Sequence, residues 1–535
     1  MNPSPHKFRS HNPKLQALGL NDTALFQKRS YLQKVCLTFP SDIQRGHSLY
    51  KILARAPSLK KLSFKMNFHV LQDEHNFTEI KQIAKKLFIH HFKRITDLQI
   101  SLTGPLSFII IKHIAKLKKL VSLKILQPDL ASPNYLSCLN VFLSSPRTKK
   151  TLTKLQILYV DFTHSINLNY NSREFLEFSE LMIKINSSLQ TYSHPKSSLH
   201  LNSLITDSVV PSLLSMLNSS PHLTSLTAQL KLTRDYSLLL DKLTTLDHLS
   251  SLRLIIRHTD RNYSHPNQCF KDFGEYLQKI KALKELELSL VGLPEVNLFI
   301  EKLSLFSDLQ RFFLRIDLAS LKNETVSLLA HSLCSFSNLQ SFKLMAYPTI
   351  NKNSIQSDQI SNLFKALSSL KSLKVLHLIL QSYEQHIDNT VLLTLCDALE
   401  NLRELRELKF GAKRSEFNHE GVDKLAITLS KLINLEKIGV DLSLGVKTKN
   451  GHLPVFLKSF SALNHLEEIE LSISYCELNI ASYEIMILLL NQLRNLHFFT
   501  LLLKYAEKTP DAESKFEALL TDQYRYQNLL KLFFR

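Results

Sequence analysis

Leu283-Lys284-Glu285-Leu286-Glu287-Leu288-Ser289-Leu290 sets the pattern L-x-x-L-x-L-x-L, and the chain repeats it almost from end to end. Copies with Phe, Ile, Val or Ala in place of some leucines begin at Leu309, Leu339, Leu373, Leu405, Leu435, Leu466 and Leu496. Upstream they begin at Leu32, Leu59, Ile95, Leu223 and Leu249. Weaker copies start at Leu120 and Leu152, a degenerate one runs through Leu199 and Leu201, and a partial one starts at Leu529. About 17 copies spaced by about 31 residues make a repeat array, and repetition decides the fold class before any local feature does.

Within the phrase, Leu286, Leu288 and Leu290 alternate with polar residues, which is the period of a strand with one buried face. Between phrases the period becomes helical. Val422, Leu425, Ala426, Leu429 and Leu432 follow it, as do Val326, Leu329, Ala330 and Leu333, and Ile360, Leu363, Phe364 and Leu367. Strand and helix alternating through short joints form a βα repeat, and right-handed crossovers make its sheet parallel. Strands stack about 4.8 Å apart and helices about 10 Å apart, so such an array bends with its strands inside. The expected fold is an α/β curved solenoid of about 16–17 repeats. It is a horseshoe with a parallel β-sheet on the concave face and α-helices on the convex face.

From Gly421 to Ile438 the chain reads G-x-x-x-L-A-x-x-L-x-x-L-x-x-L-x-x-I. On this motif and the recurring phrase it resembles a ribonuclease-inhibitor-like leucine-rich-repeat protein. The resemblance covers nearly the whole chain after residue 30 and is strongest over 283–503. In that family Asn or Cys usually stands nine residues into the phrase and bonds the turn backbone. Here Val291, Gln381, Lys413, Ser443 and Ser474 stand there instead. The alternation runs one apolar residue further, a variant similar to that of large protist leucine-rich-repeat proteins.

Residues 1–30, with Pro3, Pro5 and Pro13 among polar residues, read as a loose N-terminal tail or partial cap, and 31–535 as the solenoid. The rhythm breaks over 163–195, an irregular long repeat in which Arg173–Ser187 has helical amphipathicity and Ser188–Ser198 is polar. Ten glycines in 535 residues leave little material for a phosphate-cradling loop. Cys36, Cys138, Cys269, Cys334, Cys396 and Cys476 are scattered without a C-x-x-C pair and read as buried free thiols of a reducing compartment. Met1–Ser10 has no apolar core of a signal peptide, and no apolar run is long enough to span a bilayer. The expected location is the cytoplasm, with the nucleus as the other reducing compartment.

Charge is unevenly placed. Residues 1–150 hold 25 Lys and Arg against 7 Asp and Glu, nearly all of the +19 net charge. Lys60, Lys61 and Lys65, then Lys85 and Lys86, then Lys112, Lys116, Lys118 and Lys119 recur near successive helix-to-strand joints. Together they are a candidate patch for an anionic partner, whose approach such a field would steer. A solvated, solubilising surface explains the same residues equally well.

On the inner wall, residues between the buried leucines face outward from the core, where repeat arrays bind their partners. Read phrase by phrase, the candidate partner-binding residues are Arg253, Arg257, Arg311, Phe313, Arg315, Lys343, Tyr347, His377 and Lys409. Carboxylates share that wall at Glu285, Glu287, Glu407, Asp441, Glu468 and Glu470. Aromatic residues beside Arg and Lys are the mixture from which interface anchors are made.

Motifs of catalysis are missing from the sequence: no G-x-x-x-x-G-K-[ST], no G-x-G-x-x-G, no H-E-x-x-H and no G-x-S-x-G. His90-His91, with His69 and His75, lacks the carboxylate or thiolate that would complete a metal site. The chain is expected not to be an enzyme and to need no cofactor or metal. The expectation is a non-catalytic scaffold that binds a protein on its concave face. The alternatives are an electrostatic binder of RNA, DNA or acidic protein tails through the basic first quarter, and a regulator of a GTPase or other enzyme.

Overall fold

The computed structural model describes residues 34–39, 61–66, 95–102, 122–126, 157–161, 197–205, 210–218, 223–231, 236–257, 273–291, 293, 296–317, 322–347, 356–380, 387–412, 415, 417–442, 452–474, 477–478, 480–504, 507–508 and 530–534. Several expectations lie outside them: the tail at 1–30, the irregular repeat at 163–195, and Lys60, Lys85, Lys86, Lys112, Lys116, Lys118 and Lys119. Two compact units divide the chain, residues 1–252 and 253–535.

In the first unit, β1 (Lys34–Phe39), β2 (Lys61–Met66), β3 (Asp97–Leu102), β4 (Ser122–Leu126) and β5 (Ile157–Asp161) form a parallel sheet in sequence order. Strands β6 (Ser197–Ile205) and β7 (Leu223–Lys231) also pair in parallel, with register shifts after Ser197 and after Leu201. The phrase placed at Leu152 needs correcting by three residues. Strand β5 begins at Ile157, so the phrase is Leu155-Gln-Ile-Leu158-Tyr-Val160-Asp-Phe162. Leu152 starts the wrong register because Leu152 and Leu155 are themselves three apart. Helices α1 (Val210–Asn218) and α2 (Tyr236–Thr244) follow β6 and β7.

The second unit takes in β8 (Ser251–Arg257) from Arg253 onward and continues through β9 (Glu285–Ser289), β10 (Arg311–Asp317), β11 (Ser341–Tyr347), β12 (Val375–Leu380), β13 (Glu407–Gly411), β14 (Lys437–Leu442) and β15 (Glu468–Ser474). After the two-residue β16 (Glu477–Leu478) come β17 (Phe498–Lys504), the two-residue β18 (Glu507–Lys508) and β19 (Leu530–Phe534). Strands β8 to β15, β17 and β19 lie side by side in chain order as an open parallel sheet of 10 strands. Between them run α3 (Asn297–Ile300), α4 (Asn323–Ser335), α5 (Ser357–Leu367), α6 (Asn389–Leu399), α7 (His419–Lys431), α8 (His452–Ser459) and α9 (Ile480–Gln492). Strand neighbours in chain order, joined by crossovers of one hand, place every helix on the same face of the sheet.

Burial follows the sequence period. Along β9 and β11 alternate residues are buried. Leu286, Leu288, Leu314, Leu344 and Leu378 of the strands and Val326, Leu329, Leu333, Ile360, Leu363 and Phe364 of the helices are all buried. Each such aliphatic side chain contributes about 1.5–3 kcal/mol by leaving water. Phe312 centres an aromatic cluster, stacked on Phe342 at 5.9 Å and edge-on to Phe336 at 6.0 Å.

The repeat extends to the backbone between helix and strand. Gln340 N–H donates to Gln310 O at 2.8 Å, Lys374 to Gln340 at 2.8 Å, Arg406 to Lys374 at 2.8 Å and Glu436 to Arg406 at 2.7 Å. Side chains reinforce this rung just before the phrase, where Asn434 Nδ2 donates to Arg403 O at 2.9 Å and Asn495 Nδ2 to Asn464 O at 3.1 Å. Amide ladders thus exist, but at the turn entering the strand. Helix starts are capped where the sequence provides Asx: Asp388 accepts from Val391 N–H at 3.0 Å and Asn418 from Gly421 N–H at 3.1 Å. One thiol departs from expectation. Cys396 is buried, but Cys334 is exposed, because it sits one residue past Leu333 on the outer side of α4. No helix among the described residues is long and apolar enough to cross a membrane.

Candidate functional site: the uncovered face of the second sheet

The face of the 10-stranded sheet turned away from the helices, uncovered among the described residues, carries the odd members of each phrase, and strand register sorts them into rows. One row runs Glu285, Arg311, Ser341, Val375, Glu407, Lys437, Glu468, Phe498. The next runs Glu287, Phe313, Lys343, His377, Lys409, Gly439, Glu470, Thr500. A third holds Ser289, Arg315, Met345, Ile379, Gly411, Asp441, Ser472 and Leu502. Strands about 4.8 Å apart bring each residue into reach of the next member of its row.

Most charges on these rows are matched within the face. Arg253 Nε lies 3.0 Å from Glu287 Oε1, and Arg311 Nη1 lies 3.0 Å from Glu285 Oε1. Lys437 reaches Glu468 at 3.5 Å, and Lys409 reaches Glu470 at 3.4 Å. Burial pushes the Glu287 carboxyl above its ordinary value, opposed by the charges of Arg253 and Lys343. His377 Nε2 is 2.6 Å from Glu407 Oε1, with only 8% of the imidazole side chain exposed. That hydrogen bond holds the Glu407 carboxyl below its ordinary value despite partial burial. The imidazole lies on the uncovered face, yet its ring nitrogen is occupied and it offers almost no surface to a partner.

Strands β10 and β11 are different. Arg315 is exposed and lays its guanidinium over the Tyr347 ring, 4.7 Å from the centroid. Tyr347 Oη donates to Met345 Sδ at 3.5 Å. Phe313 is half-buried between Glu287 and Lys343 of its row. The structure therefore brings Phe313, Arg315, Lys343 and Tyr347 together, while Arg253, Arg311 and Lys409 are each drawn to a carboxylate. Arg257 ends β8, and its side chain lies outside the described residues.

Two residues of this face went unremarked in the sequence. Gly411 and Gly439 occupy diagonal positions on β13 and β14, where the phrase elsewhere has a side chain. A Cβ on Gly411 would sit 3.3 Å from Ile379 Cδ1, and one on Gly439 would sit 3.2 Å from Lys409 Cγ. Long neighbours lie flat over both glycines. The signal was available, since only 10 glycines occur in the chain and two share one face of adjacent strands.

In the first unit, β2 carries Lys61 and Lys65 at alternate positions. Lys61 is in register with Lys34 and Asp97, and Lys65 with Thr38 and Ser101. Their side chains lie outside the described residues.

The chain matches no protein-family model and no curated protein. Among solved structures it is similar to a structural-genomics target from Bacteroides fragilis, at 15% identity and a TM-score of 0.28, over 59% of this chain and 75% of that one. A likeness at that level carries no family and no function. The repeat architecture rests on the sheet and its register.

Proposed function

We propose that this chain is a leucine-rich-repeat horseshoe, similar to the ribonuclease-inhibitor-like proteins, that acts as a non-catalytic scaffold. Its uncovered sheet face binds a protein partner. The observation that carries this reading is the contiguous cluster of Phe313, Arg315, Lys343, Met345 and Tyr347 on two neighbouring strands. Aromatic, thioether and guanidinium groups held against one another are preorganised, so a partner that seats on them orders little side-chain entropy.

Site-directed photocrosslinking in extract of the native cell tests it. A photoreactive residue replacing Phe313 should give a discrete adduct, and one replacing Ile427, exposed on α7, should not. Adducts from position 427 alone, or from neither, would reject the reading.

A second reading concerns the first unit, because its sequence concentrates the positive charge and β2 places Lys61 in register with Lys34. It takes this unit as an electrostatic docking surface for RNA, DNA or acidic protein tails. Binding through it should fall steeply as salt rises, more steeply than binding at the β10–β11 cluster, where only two cations face the partner.

A further inference from the structure

On the uncovered face of the second unit two cations stand without a close ion-pair partner among the described residues. Among its described side chains, Arg253, Arg311, Lys409 and Lys437 each have a carboxylate within 3.5 Å. Glu285, Glu287, Glu468 and Glu470 are those partners, and Glu407 is held by His377. Asp317 and Asp441 have partners of their own. Arg315 and Lys343 form no ion pair among the described residues. They are diagonal neighbours, because Arg315 is in register with Met345 and Lys343 with Phe313. Arg315 holds its guanidinium over the Tyr347 ring, and a guanidinium so placed still has N–H donors to offer a ligand.

The apolar part of the site adjoins this pair. Met345, Ile379 and Gly411 follow one another across β11, β12 and β13 in the same row as Arg315. Ile379 leans into the space that a side chain on Gly411 would fill, so the three residues make a low floor. A ligand crossing the strands thus meets two cations without a close ion-pair partner among the described residues, Lys343 acting on Glu287 and Glu407 only at a distance, and then a flat aliphatic surface.

Building on the reading of this face as a protein-binding surface, we propose that it takes an extended peptide segment with an acidic side chain followed by aliphatic ones. The acidic side chain is an internal one, because the row continues beyond Arg315 to Ser289 and beyond Gly411 to Asp441, so the segment passes through. Its carboxylate sits between Arg315 and Lys343, and its aliphatic groups lie on Met345, Ile379 and Gly411. Nucleic acid fits less well. A single strand needs a positive groove along its phosphates, and here Glu287 in the row of Lys343 and Glu407 in the adjoining row both lie close enough to feel its charge.

An array of decapeptides tests the proposal. One set carries Glu or Asp followed by two Leu or Ile in a Gly–Ser background, and the matched set carries Gln or Asn. The labelled full chain should be retained at least tenfold more by the acidic set. Changing both Arg315→Glu and Lys343→Glu should abolish that preference, whereas Lys458→Glu on α8 should leave it intact. Should the double variant not fold, Arg315→Gln and Lys343→Gln taken singly should each reduce the preference about threefold. Equal retention of the two sets, or a preference that survives these changes, overturns the proposal. So does an oligothymidylate that binds the wild type and is lost in the double variant. If position 313 crosslinks to a partner and the acidic preference is absent, this inference fails alone. Failure of the crosslink instead rejects the binding face itself.

Discussion

Lys409 reaches Glu470 across an entire intervening strand, with Nζ 3.4 Å from Oε2, although 61 residues separate the two in sequence. The path lies over Gly439 of β14, where a Cβ would stand 3.2 Å from Lys409 Cγ. Glycine here keeps the path clear. A Cβ would press the Lys409 stem aside by a few tenths of an ångström and lengthen the span.

Gly439→Ala should therefore weaken the coupling of the pair with little loss of stability, because both partners are substantially exposed. In a double-mutant cycle of Lys409→Ala and Glu470→Ala followed by urea denaturation, the coupling should be about 0.2–1 kcal/mol. It should shrink in the Gly439→Ala background. Undiminished coupling there would show that Lys409 takes another route.

Gly421 makes the opposite case. It lies in the first turn of α7, and a Cβ there would collide with Asn389 Oδ1 of α6. Alanine improves helix propensity by up to about 1 kcal/mol, but overpacking a buried contact costs about 1–3 kcal/mol. Gly421→Ala should lower stability, and adding Asn389→Ala should restore more than the two separate effects predict. The Asn389 Oδ1 atom is buried without a hydrogen-bond partner, so its removal strands no donor.

Acid should act through Glu407. Its folded value is depressed by the His377 hydrogen bond, so its stabilising contribution is complete above the ordinary carboxylate value of 4.5 and is lost as pH falls through the folded value. Glu407→Gln should cost about 1–2 kcal/mol at pH 7. The gap between variant and wild type should close below pH 4.5, as read from urea midpoints across the range. A gap that stays constant with pH would mean that the carboxylate charge is irrelevant.

The two described thiols should separate cleanly. Burial pushes the Cys396 thiol up to about 12, and the side-chain hydrogen bond with Thr428 only partly opposes this, whereas Cys334 is exposed on α4. Pulse alkylation with iodoacetamide at pH 8 and peptide mass mapping should find Cys334 modified and Cys396 protected until denaturant is added. Comparable labelling of the two in the native protein would contradict the burial of α6 against α7.

Much of the fold was legible because its signals are local. The alternation Leu286, Leu288, Leu290 can be read from eight residues, and it correctly placed β9 and its buried face. Val422, Leu425, Ala426 and Leu429 likewise announced the buried side of α7. Where the signal is doubled, as at Leu152 and Leu155, the sequence offers two registers and the strand takes the second. Position on the wall could be read for His377, but its burial against Glu407 could not, since that depends on the neighbouring repeat.

From the sequence alone came the βα repeat, its parallel order and which residues share a face, because side-chain periods of two and 3.6 are properties of the chain itself. Tertiary structure alone decided which of those surface charges remain available. Arg311 is consumed by Glu285, Lys409 by Glu470, and Arg315 is left with Tyr347. The loops between phrases differ in length, so no sequence spacing announces which side chains will meet. Such meetings depend on register between strands 26 to 61 residues apart, and on glycines that let a side chain cross from one repeat to the next.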